Sequence, residues 1–325
     1  MPRKNWNEEG AKRTLYILKR EIVCNQRELE RRICEVGPPE WRVEPVYITG
    51  GKKILIREGQ VGVHDSEVGA FYYLSGENKK KVNKYLEEKV DIYKRYSELS
   101  QKERGLGGVA EGVYAKAMEQ AENVVIHGTT GEVDTINGKV SRRTIDGGGY
   151  DKLSDTKFGV EVKNIREWAY PDCWEVWKAL QSCAELEVMP VYIARQIAYR
   201  TFKFFGEIGA VGYSTYRQFW DVSLRDRLEE VRVKFGFKDI VFPMEYAVVD
   251  KDRPLVNAPT ERDIALFTKT VPKIAKQKAE LFRKQKDVIL KYAQIGLGDE
   301  GCNHPKRRKL FKKYHIEAFG APLRY

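Results

Sequence analysis

The stretch at residues 144–164, TIDGGGYDKLSDTKFGVEVKN, decides how this 325-residue chain is read. In an extended strand successive side chains alternate between faces, so Glu161 and Lys163 of FGVEVKN share one face while Val160 and Val162 turn toward a core. A hairpin with SDTK as its loop sets Leu153 opposite Phe158, Tyr150 opposite Glu161 and Gly148 opposite Lys163. Asp146 then falls on the same face, close to Lys163 and within reach of a cation held by Glu161. Two carboxylates so placed can bind a hard divalent cation such as Mg²⁺ through oxygen, with substrate phosphate completing the shell. The lysine can orient or polarise an attacking water, and the metal can offset charge in a phosphorane-like transition state. A three-residue turn would make Asp151 the facing residue instead. Asp146 is preferred because Gly147, Gly148 and Gly149 after it keep that side of the strand open and permit close approach of a phosphate backbone.

Outward from this hairpin, GVAEGVYAKAMEQA (108–121) reads as a helix, NVVIHG as a short buried strand, and GEVDTINGKVSRRTID as a further hairpin. A helix over about 171–186 and the apolar strand PVYIAR follow. This order of elements argues for an α/β core around a mixed sheet. Before it, residues 15–36 read as one polar helix, and VEPVYITG, KKILIRE and QVGVHD as short strands of a small sheet. Residues 82–99 carry helical spacing, and the glycines of SQKERGLGGVAEG mark a boundary. The tail from about residue 221 is mainly helical. Three regions are expected: an α+β N-terminal region, 1–104, as a candidate nucleic-acid binder; a core, 105–220; and a basic helical region, 221–325.

The residues of the hairpin resemble the PD-(D/E)XK nuclease superfamily, whose pattern is an acidic residue, a loop, and then a strand carrying (D/E)-x-K. Glu161-Val162-Lys163 matches the second element, and Asp146 or Asp151 the first, with Asp134 less well spaced. The resemblance covers roughly residues 105–220. It implies a restriction-endonuclease-like core of mixed β-sheet flanked by helices and a metal-dependent DNA endonuclease activity. It further implies Mg²⁺, with Mn²⁺ as a substitute, held by Asp146, Glu161 and the backbone carbonyl of Val162. Glu111 on the preceding helix matches a supporting glutamate, Glu119 less well. Gln181 would lie near the metal, and Arg195, ending the next strand, would contact phosphate. A type II restriction endonuclease is the leading expectation. A junction-resolving or repair nuclease, an RNA-processing nuclease and a non-catalytic DNA-binding protein on the same fold are the alternatives.

Composition bears on the partners. The chain has 58 Lys+Arg against 47 Asp+Glu, a net charge of +11, which favours a polyanion and hence nucleic acid. Residues 271–292 hold seven basic and two acidic residues, and residues 301–325 seven and one. Lys306, Arg307, Arg308, Lys309, Lys312 and Lys313 in the latter are expected to follow a nucleic-acid backbone. Double-stranded DNA is the expected partner, and cutting both strands with one site per chain calls for a homodimer. An apolar share of 42% and an aromatic share of 11% are too high for a disordered chain. No run of about 18 apolar residues exists to span a bilayer, and the charged start MPRKNWNEEGAKR lacks an export signal, so a cytoplasmic location is expected, nucleoid-associated if the source is bacterial or archaeal. The five cysteines form no CxxC pair, and GCNHP has too few ligands for zinc. His127 near the site reads as structural. Trp174 and Trp177, three apart on one helix face, read as core.

Overall fold

The computed structural model describes residues 5–36, 42–102, 105–128, 133–136, 138–243 and 259–323. The chain divides into two compact units. Unit 1 comprises residues 1–104 and 223–240, and unit 2 comprises residues 105–222 and 241–325. Unit 1 begins with α1 (Trp6–Glu21), β1 (Val23–Asn25), α2 (Gln26–Glu30), α3 (Pro45–Arg57), β2 (Val61–Ser66), β3 (Gly69–Leu74) and α4 (Lys79–Lys102). Unit 2 opens with α5 (Gly105–Glu119), β4 (Val124–Gly128), β5 (Val133–Ile136), β6 (Lys139–Ile145), β7 (Gly147–Asp151) and β8 (Thr156–Lys163). It continues through α6 (Trp174–Leu186), β9 (Met189–Ala194), α7 (Tyr199–Ile208), β10 (Val211–Ser214) and β11 (Gln218–Phe219). The chain then returns to unit 1 with α8 (Arg225–Lys234) and re-enters unit 2 for α9 (Glu261–Ala265), α10 (Val271–Tyr292) and α11 (His304–Phe319).

In unit 1 a three-stranded antiparallel sheet, in the order β1-β3-β2, accompanies the helices. Two expectations change here. The single helix over 15–36 breaks at Ile22, whose backbone turns to φ 65°, and one short strand and a second helix follow. VEPVYITG and KKILIRE form the helix α3 rather than strands, with Pro45 in its first turn. Gly50 and Gly51 resemble turn residues in the sequence, but Gly51 marks a close helix crossing. A Cβ there would stand 2.3 Å from the Ala11 backbone nitrogen of α1. Beneath these elements Glu28 is fully buried, its oxygens accepting from Lys89 Nζ at 2.8 and 2.9 Å and from Arg32 Nε at 3.0 Å.

Unit 2 is mixed α/β. Its five-stranded sheet has the order β10-β9-β8-β7-β4, with β8, β9 and β10 parallel and β7 and β4 antiparallel to their neighbours. One face, carrying Phe158, Val160 and Val162, packs on Val113, Tyr114 and Met118 of α5 and on Val271 and Ala275 of α10. The other buries Tyr192 and Ala194 against Val176, Trp177, Leu180 and Cys183 of α6, with Phe204, Ile289, Phe311 and Tyr314. Residues 241–325 therefore group with the core instead of forming a region of their own with 221–240, because the apolar faces of α10 and α11 complete its two packed layers. Trp177 is a core residue, donating from its indole to the Pro171 carbonyl at 2.8 Å. NVVIHG is a half-exposed edge strand, not a buried one, and His127 lies exposed at its bulge.

The β7–β8 register differs from the expected one. Gly147 pairs with Val160, Gly149 with Phe158 and Asp151 with Thr156, so the turn is KLSD and not SDTK. Asp151 selects this turn: fully buried, it accepts from Ser154 N at 2.9 Å and Leu153 N at 3.4 Å, while Asn123 Nδ2 donates to it at 2.6 Å. A side chain that satisfies several turn amides fixes where the chain reverses.

Candidate active site

The reversal at Asp151 brings a different residue to the far end of β8. Asp146 occupies the corner between β6 and β7, where the chain passes from the small β5–β6 hairpin into the main sheet. Its Oδ2 accepts the Val162 N–H at 2.6 Å, in place of the strand partner that β7 no longer supplies. In extended backbone the N–H and C=O of one residue point to the same edge, so the Val162 carbonyl also faces the Asp146 side. The Lys163 carbonyl faces the other way, accepting from Arg195 N at 3.4 Å. Asn164 then fastens the end of β8, pairing its side-chain amide with the Phe219 backbone at 2.6 and 2.9 Å.

Glu161 lies on the α6 face of the sheet beside Tyr192, its register partner on β9, and is only 3% exposed. Burial pushes its carboxyl up to about 7, opposed by Lys163, and the Asp146 charge pushes it the same way as burial. Lys163 forms an ion pair with Glu161 and is more exposed. Burial works against the ammonium, but Glu161, Asp146 and Glu111 hold its pKa above the ordinary lysine value. Glu111, on α5, is thus within electrostatic reach of Lys163. Tyr192 and the Cys183 thiol are driven upward by burial and then by Glu161, so both lie within electrostatic reach of the same carboxylate. The structure gathers Asp146, Glu161, Lys163 and Glu111 at one end of β8 and leaves Asp151 at the other, as a turn residue.

Other expected residues fall elsewhere. Arg195 is 2% exposed and donates to the Arg166 carbonyl at 2.7 Å, so it cannot meet a phosphate without unpacking the strand end. Gln181 turns away to Glu185, donating at 3.1 Å. Glu119 and Asp134 are exposed. The three glycines do not hold a phosphate approach open, because neighbouring side chains fill their space: a Cβ on Gly148 would stand 2.7 Å from Ile136 Cδ1, and one on Gly149 2.8 Å from Phe158 Cζ. On α11, Lys306, Arg308, Lys309, Lys312 and Lys313 are exposed while Phe311, Tyr314 and His315 pack inward. Arg307 is half-buried and Arg308 Nε lies 3.6 Å from Asp172 Oδ2.

Two residues of α6 escaped the sequence reading. Glu175, raised by burial and held back by Arg307 and Lys163, joins the basic start of α11 to the site. Lys178 lies within electrostatic reach of Glu161. Their signal was their place on the helix immediately after the E-V-K strand. A cavity of about 500 Å³ opens at the opposite end of the hairpin, lined by Tyr150, Lys157, Arg283 and Lys286 among others, and includes none of the four clustered residues. Among the described residues no group of three or more His, Cys, Asp or Glu is arranged to hold a metal, and no helix is long and apolar enough to cross a membrane. The chain matches no protein-family model, no curated protein and no solved structure.

Proposed function

We propose that unit 2 is a metal-dependent endonuclease acting on DNA phosphodiester bonds, built on a restriction-endonuclease-like core. The observation that carries this reading is the placement of Asp146, Glu161 and Lys163 together at the end of β8, with Asp146 tied to the backbone between the other two. The donor set fits a hard cation. Two carboxylates, one of them buried and raised to about 7, supply oxygen ligands that a divalent ion would stabilise in the charged form. Mg²⁺ commonly takes one or two carboxylates and completes its shell with water and substrate phosphate, so a two-carboxylate site suffices. Asp146, Glu161 and the Val162 carbonyl would hold it, and Mn²⁺ would substitute. A bound cation would supply charge neutralisation at the phosphate and acidify a nearby water.

Lys163, kept protonated by the surrounding carboxylates, would hold the attacking water or a phosphate oxygen by hydrogen bonding. Glu111 would help hold that ammonium in place. The exposed lysines and arginines of α11 would neutralise the DNA backbone flanking the site, as would those of α10 that are not already tied to carboxylates. Cleavage of both strands of a duplex would use two chains, each bringing one site. The test is incubation of the full chain with plasmid, branched DNA and structured RNA, in Mg²⁺ and in EDTA, beside Glu161→Ala. Metal-dependent DNA cleavage that disappears in Glu161→Ala is expected. Absence of cleavage in Mg²⁺ and Mn²⁺, or retained cleavage in the variant, would remove the proposal.

A further inference from the structure

The rim of the sheet beside Lys163 carries an aromatic arrangement that the hydrolytic site does not require. Lys163 pairs with Ala194, and Ala194 with Ser214, so β10 ends about 10 Å across the sheet from the lysine. Immediately beyond, Thr215 N and Tyr216 N donate to the carbonyls of Ala194 and Arg195, each at 2.9 Å. A side-chain turn at Thr215, whose Oγ1 accepts from Arg217 N at 3.0 Å, holds Tyr216 at φ 58°. That left-handed backbone favours glycine or asparagine, and a bulky residue there is strained. Tyr216 nonetheless occupies it, and the residue is 51% exposed.

The ring is also backed. The guanidinium of Arg262 lies 5.3 Å from the centroids of both Tyr213 and Tyr216, and its Nη2 donates to the Ser214 carbonyl at 3.2 Å. Tyr213 is fixed in turn by its hydroxyl, 3.2 Å from buried Asp263. The result is a guanidinium shared between two phenols, one fixed by Asp263 and the other on an exposed residue. On the same rim Arg200 stacks on Tyr170, its Cζ 4.6 Å from the centroid, and Tyr199 is 74% exposed. A lone exposed tyrosine is ordinary. An exposed aromatic residue on a strained backbone, braced by a cation at the strand-end rim that also carries Lys163, has the composition of a base-stacking platform.

We infer that this rim stacks unpaired bases, so that the substrate of the proposed nuclease is DNA with splayed or single-stranded nucleotides beside the scissile bond rather than an uninterrupted duplex. The inference rests on the nuclease reading for its position, since bases paired inside a duplex offer the ring no face. Arg262 and Arg200 supply positive charge for the adjoining phosphates. The other unpaired polymer, RNA, is an outcome of the test.

The test is fluorescence anisotropy of the full chain in EDTA, with a labelled blunt DNA duplex, the same duplex ending in an unpaired fork, and a single-stranded RNA of the same sequence. The fork should bind more tightly than the blunt duplex. Tyr216→Gly, which suits the left-handed backbone and so retains the fold, should weaken fork binding about tenfold with the blunt duplex unchanged, and Tyr216→Phe should restore it. Equal binding of fork and duplex, no loss in Tyr216→Gly, an equal loss on both DNAs, or a preference for the RNA over the fork would overturn the inference. Because binding is read without metal, the two readings separate. Tyr216-dependent fork binding without cleavage in Mg²⁺ would refute the nuclease and leave the platform, whereas cleavage indifferent to the fork and to Tyr216 would do the reverse.

Discussion

Each unit buries a glutamate against a lysine, and the two pairs are built to opposite ends. Glu28 of unit 1 is raised by burial, yet Lys89 and Arg32 both oppose the shift, and Lys89 Nζ also donates to the Val23 carbonyl at 2.6 Å. The cluster is closed, its cations and carboxylate oxygens engaged with one another. Around Glu161 the nearest strong influence after burial and Lys163 is another carboxylate, Asp146, which adds to the penalty. Lys163 stays partly exposed. A buried ion pair hydrogen-bonded on all sides holds structure together, whereas one with a second anion beside it keeps negative charge uncompensated, which is what the proposed cation would offset.

Removing each lysine is the sharpest way to break the comparison. Lys163→Met should reduce cleavage by on the order of a hundred- to a thousandfold while the melting temperature changes little, since Glu161 can take up a proton near neutral pH. Lys89→Met should do the converse, costing about 3–5 kcal/mol in denaturant titrations by stranding buried Glu28. If Lys163→Met proves the more destabilising of the two, the contrast between closed and open clusters fails.

Lys52 of unit 1 provides an internal control with a pH signature. It is 5% exposed with its ammonium 3.5 Å from the Tyr72 ring centroid, and burial, opposed by Glu30, lowers its pKa to about 7. Between about pH 7 and the ordinary lysine value the unfolded chain binds the proton and the folded one does not, so stability should rise with pH across that window. Lys52→Met should flatten the rise and stabilise the protein by on the order of 3 kcal/mol at about pH 6. Urea titrations at about pH 6 and about pH 9 measure both. Glu161 has the opposite sign: its raised pKa favours folding below its ordinary value and loses that advantage as pH climbs to about 7.

The smallest stability effect separates the two aspartates of the hairpin. Asp151→Ala removes the acceptor for the turn amides and should cost about 2 kcal/mol, with cleavage by the surviving folded protein unchanged. Asp146→Asn should abolish cleavage at a lesser cost in stability. Loss of activity in Asp151→Ala at temperatures where it remains folded would mean that the register at the site is not as described.

What the sequence revealed and what it hid follow from the range of the forces involved. Alternation along FGVEVKN and the helical spacing of residues 82–99 are local, and the corresponding β8 and α4 form where they were expected. The hairpin register was missed because it depends on Asp151 capping KLSD, a hydrogen-bond choice with little trace in hydrophobic pattern. α3 was misread because Gly50 and Gly51 resemble turn punctuation until α1 is laid across them. Arg195 looks available in the sequence, and only the packing around β9 shows it sealed. Tyr216 was missed because its left-handed angle comes from the Thr215 side-chain turn and from backbone bonds to Ala194 and Arg195, neither of which leaves a trace in hydrophobic pattern.

The interrupted course of the chain has a consequence for how the molecule is made. Unit 1 needs residues 223–240, and these follow all five strands of the unit 2 sheet in the chain. On the ribosome the N-terminal unit therefore stays incomplete while strands up to β10 emerge, and it can close only after α8 has left the exit tunnel. A truncation near residue 104 would leave α4 without α8, the helix that groups with it in the same unit.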